Sequence, residues 1–146
     1  MKKYSIILYF TIIGLLFLNS CCFKKYCYGL NDIHQIYLYN FSITDIDTIY
    51  LLKYNIGNNF TSKIDSSFYD YTDIENKNNQ QYELILNDYI QKDFEYKLVF
   101  KDINQEYKIK NITSKKKKCS CDDYDALTSY VVNDSTIEKS QFLIYR

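Results

Sequence analysis

Five thiols, one imidazole and one block of ammonium groups are the side chains of this sequence whose types and spacing bear most on chemistry. The thiols are Cys21, Cys22, Cys27, Cys119 and Cys121. Cys119-Ser120-Cys121-Asp122-Asp123-Tyr124-Asp125 gathers sulfurs and carboxylates, and with Cys27 as a third thiolate it is an alternative zinc or copper(I) site. Its spacing is not that of a zinc knuckle, and the aspartates lack the glycine and distal glutamate of a calcium loop. No metal ligand and no cofactor is therefore assigned. The lone histidine, His34, lies in Ile33-His34-Gln35-Ile36 without a partner signature for nucleophilic or general-base work, and reads as a strand histidine. No hydrolase elbow, zinc-protease helix, phosphate loop or dinucleotide fingerprint occurs, and Gly14, Gly29 and Gly57 are too scattered to cradle a phosphate. Paired carboxylates can cleave glycosides, which keeps a glycan or peptide hydrolase as an alternative. Because 18 acidic residues yield such pairs by chance, no catalytic residue is assigned and the protein reads as a non-enzyme. Lys115-Lys116-Lys117-Lys118 is the densest charge run, expected in a solvated loop between strands, with acidic head groups as the alternative contact.

The amino-terminal order has a different meaning. Lys2 and Lys3 precede an uncharged, mostly apolar stretch from Tyr4 to Leu18, and Leu18-Asn19-Ser20-Cys21 comes next. A basic start, a short apolar helix and a small residue before a cut form a secretion signal. A membrane-spanning helix needs about 20 apolar residues, which this stretch reaches only by counting Asn19, Ser20 and two cysteines. Leu18-Asn19-Ser20-Cys21 resembles the lipobox of bacterial lipoproteins. The resemblance implies cleavage before Cys21 and acylation of its thiol, and two or three acyl chains anchor far more firmly than one. The organisation expected is a lipoprotein signal peptide at 1–20, a lipidated N-terminus and short tether at 21–32, and a folded domain at 33–146.

Charge and composition bound the rest. The whole chain balances 18 basic against 18 acidic residues, and loss of Lys2 and Lys3 leaves a net of about −2, so no nucleic-acid partner is expected. With 47% apolar residues the chain can bury a core. Export leads to an oxidising compartment, where the later cysteines favour disulfides. Cys27 with Cys119 or Cys121 is the preferred bridge, closing a loop worth about 4 to 5 kcal/mol in the chain-entropy model.

The elements that must position these groups are strands. Phe94, Tyr96, Leu98 and Phe100 alternate on one face, as do Tyr82, Leu84 and Leu86. Further strands are expected at 33–41, 47–55, 106–112, 127–133 and 141–145, with Asp102–Gln105 as a tight hairpin. About seven strands with turn signals between them predict an all-β fold: a single antiparallel β-sandwich, immunoglobulin-like or transthyretin-like. A helix over 82–98 competes for the same apolar residues. Residues 60–71 are expected to pack as an extra strand or helical turn, and the polar stretch 75–81 to form a mobile loop. Four Asn-x-Ser/Thr triplets begin at Asn40, Asn59, Asn111 and Asn133, and in a bacterial protein they do not mark N-glycosylation.

Together with the lipobox, the runs Asp45–Tyr50, Phe60–Ser67 and Ser129–Asn133 resemble small, mostly uncharacterised lipoproteins of the Bacteroidota. That likeness implies location and a β-rich fold but no reaction. In that group acidic residues after the lipidated cysteine often direct surface export. Here Cys22, Phe23, Lys24 and Lys25 come after it, which favours the outer membrane with the domain facing the periplasm. The expectation is a lipid-anchored envelope protein with Cys21 as its anchor, acting as a non-catalytic binding or structural accessory module toward a protein or glycan partner. An envelope metal-binding protein using Cys27, Cys119 and Cys121 is the alternative.

Overall fold

A computed structural model describes residues 27–78, 80–119 and 122–146. Ten strands occur among them: β1 (Gln35–Tyr39), β2 (Thr48–Asn55), β3 (Lys63–Asp70), β4 (Ile74–Asn78), β5 (Gln81–Ile85), β6 (Phe94–Phe100), β7 (Gln105–Cys119), β8 (Asp122–Val132), β9 (Ser135–Ile137) and β10 (Phe142–Tyr145). They form a four-stranded sheet, β10-β1-β5-β4, and a six-stranded sheet, β3-β2-β6-β7-β8-β9. Every ladder is antiparallel except β1 with β10, which run parallel. The protein is an all-β sandwich.

Alternation in the sequence decides the layers. Ile36 pairs with Leu84 on one side and Phe142 on the other, while Leu38 pairs with Tyr82 and Ile144, so one face of the smaller sheet is wholly apolar. In the larger sheet Ile49 pairs with Tyr69 and Phe100, and Leu98 with Leu51 and Tyr107. These faces meet, leaving Ile36, Leu38, Ile49, Leu84, Leu98 and Phe100 with no measurable exposure. Each such side chain contributes about 1.5–3 kcal/mol by leaving water. Phe41, in the β1–β2 connection, stacks on Phe100 at 4.7 Å.

The structure departs from the expected strand count and lysine loop, and it decides between the two readings of 82–98. About seven strands become ten, because β3 occupies most of the 60–71 stretch, β4 lies where a mobile loop was expected, and β9 adds a short edge. An edge strand with one solvated face needs few apolar residues, so β4 carries no clear period of two. Over 82–98 the chain forms β5 and β6 rather than a helix, since Tyr82, Leu84 and Tyr96, Leu98 are buried on successive strands. Lys115–Lys118 lie inside β7, not in a loop, and pair with Ala126, Asp125, Tyr124 and Asp123 in order. Lys116 opposite Asp125 and Lys118 opposite Asp123 put unlike charges across the ladder, an arrangement that favours pairing. The fold also reaches upstream of residue 33, for Leu30 starts a 3-10 turn (Leu30–Asp32) and is only 2% exposed.

Asparagine performs the conformational work usually given to glycine. Asn40, Asn59, Asn104, Asn111 and Asn133 all have positive φ, between 44° and 64°. Asparagine tolerates this region better than other side-chain-bearing residues. The four Asn-x-Ser/Thr triplets begin at four of these positions, so their asparagines mark bends of the chain. Asn104 closes the β6–β7 hairpin with its amide on the Lys101 carbonyl at 3.3 Å. Asn111 sits where the β7–β8 register shifts, and such a bulge bends a strand and re-aims the residues beyond it.

Candidate functional site

Beyond that bulge, β7 outruns the sheet. Among the described residues its pairing with β6 spans Gln105 to Ile109, and from Thr113 to Cys119 its ladder partner is β8 alone. The result is a two-stranded ribbon with Lys115–Lys118 exposed along one strand. A free ribbon of this kind is marginal in water, so something must hold it. Three contacts do. Cys27 is bonded to Cys119 across a sequence separation of 92, with Cα atoms 6.1 Å apart. Lys92 pairs with Asp125 at 3.7 Å. Gly29 lies under the ribbon, where an added Cβ would meet the Asp125 carbonyl at 3.4 Å and the Tyr124 ring at 3.6 Å.

Held in this way, the ribbon forms one wall of a groove of about 780 Å³ against the start of β1 and the segment before β10. Lys117, Lys118 and Tyr124 line it from the ribbon side, Tyr28 from the amino-terminal segment, and Gln35 and Gln141 from the sandwich. Tyr37 orients both glutamines, its hydroxyl accepting from Gln35 Nε2 at 3.3 Å and Gln141 Nε2 at 3.5 Å. The backbone behind Gln141 is pinned by Tyr130, wholly buried on β8. Its hydroxyl donates to the Gln141 carbonyl at 3.0 Å and accepts from the Leu143 amide at 2.6 Å. Burial pushes the Tyr130 phenol up to about 12, so it stays a neutral donor at physiological pH.

Other polar groups are engaged by the fold itself. Asp45, 7% exposed, pairs with Arg146 and accepts from the Ser42 amide at 2.7 Å. Burial alone would raise its carboxyl, but the Ser42 hydrogen bonds and the Arg146 charge outweigh that and hold it below the usual aspartate value. Glu83 is paired with Lys77 at 2.8 Å. His34 is exposed, with its ring edge-on to Tyr89 at 6.2 Å, a packing contact that supplies no nucleophile.

Of the expected site residues, Cys27 and Cys119 are brought together as a disulfide. Cys21, the lipidation candidate, and Cys121, the other bridge candidate, lie outside the described residues, as does Cys22. Among the described residues no group of three His, Cys, Asp or Glu side chains is placed to hold a metal ion. Nor is any described helix long and apolar enough to cross a membrane. Sequence reasoning missed Tyr124, Gln35 and Gln141 as neighbours, because the groove joins segments about a hundred residues apart and no local pattern signals that approach.

Comparison with protein-family models, curated proteins and solved structures gives no match.

Proposed function

We propose that this protein is a lipid-anchored, non-catalytic binding or structural accessory module of a bacterial cell envelope, with Cys21 carrying the lipid, as in the Bacteroidota lipoproteins it resembles. The observation that carries this reading is the bond between Cys27 and Cys119. A covalent staple closing so long a loop fits an exported protein, since cytosolic thiols are kept reduced. Cys27 stands only six positions beyond Cys21, a reach of about 20 Å at full extension. An anchor at Cys21 would therefore hold the basic ribbon and its groove beside the bilayer, on the outer membrane and facing the periplasm.

The same bond weighs against the metal alternative, because it removes two of the three thiolates that reading requires. A hydrolase gains no support from Asp45 and Glu83, two of the three buried carboxylates among the described residues, since each is held by a cation of its own fold. Fractionation tests the anchor. The wild-type protein is expected in the membrane fraction, released by detergent and not by high salt. Cys21→Ser is expected to lose the acyl mass, leaving the membrane fraction if the signal is still cut and staying there at the larger size of the precursor if it is not. Unchanged membrane partitioning and size in Cys21→Ser would overturn the proposal.

A further inference from the structure

We infer that the groove between the ribbon and the sandwich binds an acidic oligosaccharide, one bearing carboxylate or sulfate groups on its rings. The groove is present whether or not Cys21 carries lipid, so the sugar site and the anchor stand or fall separately.

Four observations converge on that ligand. The first is charge. Lys117 and Lys118 line the groove, are exposed, and have no ion-pair or hydrogen-bond partner among the described residues, whereas Asp32, the carboxylate of the lining, accepts from the Gly29 amide at 2.8 Å, which leaves two cations against one anion on the walls. Ammonium groups left unpaired on a wall are ready to accept an anion without breaking an existing contact. The second is the pair of aromatic rings, Tyr28 and Tyr124. Tyr28 is 73% exposed, so the face of its ring is open to a ligand in the groove. Tyrosine offers an apolar face to the C–H groups of a sugar and a hydroxyl to its oxygens. The third is the glutamine pair. Gln35 and Gln141 each spend a side-chain N–H on Tyr37, and their side-chain Oε1 atoms have no partner among the described residues, leaving acceptors for ligand hydroxyls. The fourth is what the wall is made of. The donors here sit on side chains; the 3-10 turn Leu30–Asp32 that borders the groove is only one turn long, and no glycine-rich loop lies beside it among the described residues, so the backbone cradle that favours nucleotide phosphates is missing from it. At about 780 Å³ the groove lies within the size range of small-ligand sites.

Calorimetric titration of the purified mature chain tests the inference with three probes: tri-galacturonate, a sulfated heparin tetrasaccharide and neutral maltotriose. At least one acidic sugar is expected to bind, with affinity falling as salt rises, and maltotriose to bind at least about tenfold more weakly. Lys117→Gln with Lys118→Gln is expected to weaken the acidic sugar about tenfold, the arginine pair at the same positions to restore it, and Lys63→Gln with Lys101→Gln, away from the groove lining, to leave it unchanged. Because all four lysines are exposed, thermal melts should show the variants folded, and the arginine pair separates lost charge from lost structure. Failure of both acidic sugars to bind overturns the inference, as does equal binding of maltotriose or indifference to the Lys117/Lys118 exchange. Tighter binding of a single-stranded oligonucleotide of matched charge would also overturn it.

Discussion

Removing the Cys27–Cys119 bond should lower the stability of the whole domain, not merely loosen the ribbon. The perturbation is Cys27→Ala with Cys119→Ala, which leaves no thiol at either position to exchange with Cys22 or Cys121. With a separation of 92 between the bonded positions, the loop-closure relation gives about 4.6 kcal/mol of stabilisation, nearly all through the unfolded chain. A folded body of about 120 residues has an unfolding entropy of roughly 0.25 kcal/mol/K, so that loss corresponds to a Tm fall of about 18 °C. Structure retained in the unfolded state lowers the expected range to about 10–18 °C. Urea unfolding monitored by circular dichroism supplies a second signature: an untethered unfolded chain exposes more surface, so the m-value should rise as the midpoint falls. A Tm change under about 4 °C, equivalent to about 1 kcal/mol, would refute the reasoning. So would a large fall in Tm with an unchanged m-value, which would place the effect in the native packing of Gly29 and Tyr124.

Individual contacts set three further outcomes. Tyr130→Phe keeps the ring packed against Phe142 but strands the buried Leu143 amide, and should cost about 1–3 kcal/mol in urea unfolding; a change below about 0.5 kcal/mol would contradict the assigned bond. Asp45 has its folded carboxyl held below its unfolded value near 3.8, so its stabilising contribution is present above that value and disappears as pH falls through the lower one. Asp45→Asn should therefore be less stable than wild type at pH 7, with the gap closing below about pH 4; a gap that does not vary with pH would sink this assignment. Asn111 has φ of 52°, where a β-branched side chain is strained, so Asn111→Val should destabilise by about 1–3 kcal/mol while Asn111→Gly is nearly neutral; equal stabilities by thermal melting would deny the bulge its role.

Strands whose apolar residues alternate were legible from the chain alone. Phe94–Phe100 reads as a half-buried strand and becomes β6, and the hairpin after it closes at Asn104 as its Asp-Ile-Asn-Gln sequence suggests. Legibility failed where burial does not set the pattern. In β4 the residues are polar because an edge strand can stay solvated, and in β7 four lysines hide a strand whose ladder with β8 is made by the backbone, with Asp123 and Asp125 opposite two of them. The turns were obscured by a composition poor in glycine and lacking proline, in which asparagine takes the positive-φ positions and imitates glycosylation triplets. Disulfide candidates were legible because the cysteines are few, but the choice of Cys119 for Cys27 depends on where the ribbon tip comes to rest. For the groove there was no signal, since Tyr28, Gln35, Tyr124 and Gln141 meet only after the bulge at Asn111 redirects β7.

Intact mass spectrometry of the protein extracted from native membranes, before and after reduction, tests the lipid anchor and the staple most directly. The expected species is a chain that begins at Cys21, carries the mass of a diacylglyceryl group with or without a further acyl chain, and gains hydrogen on reduction as the Cys27–Cys119 bond opens. A chain that still begins at Met1, or one cut elsewhere with no acyl mass, would contradict a lipid-anchored envelope module.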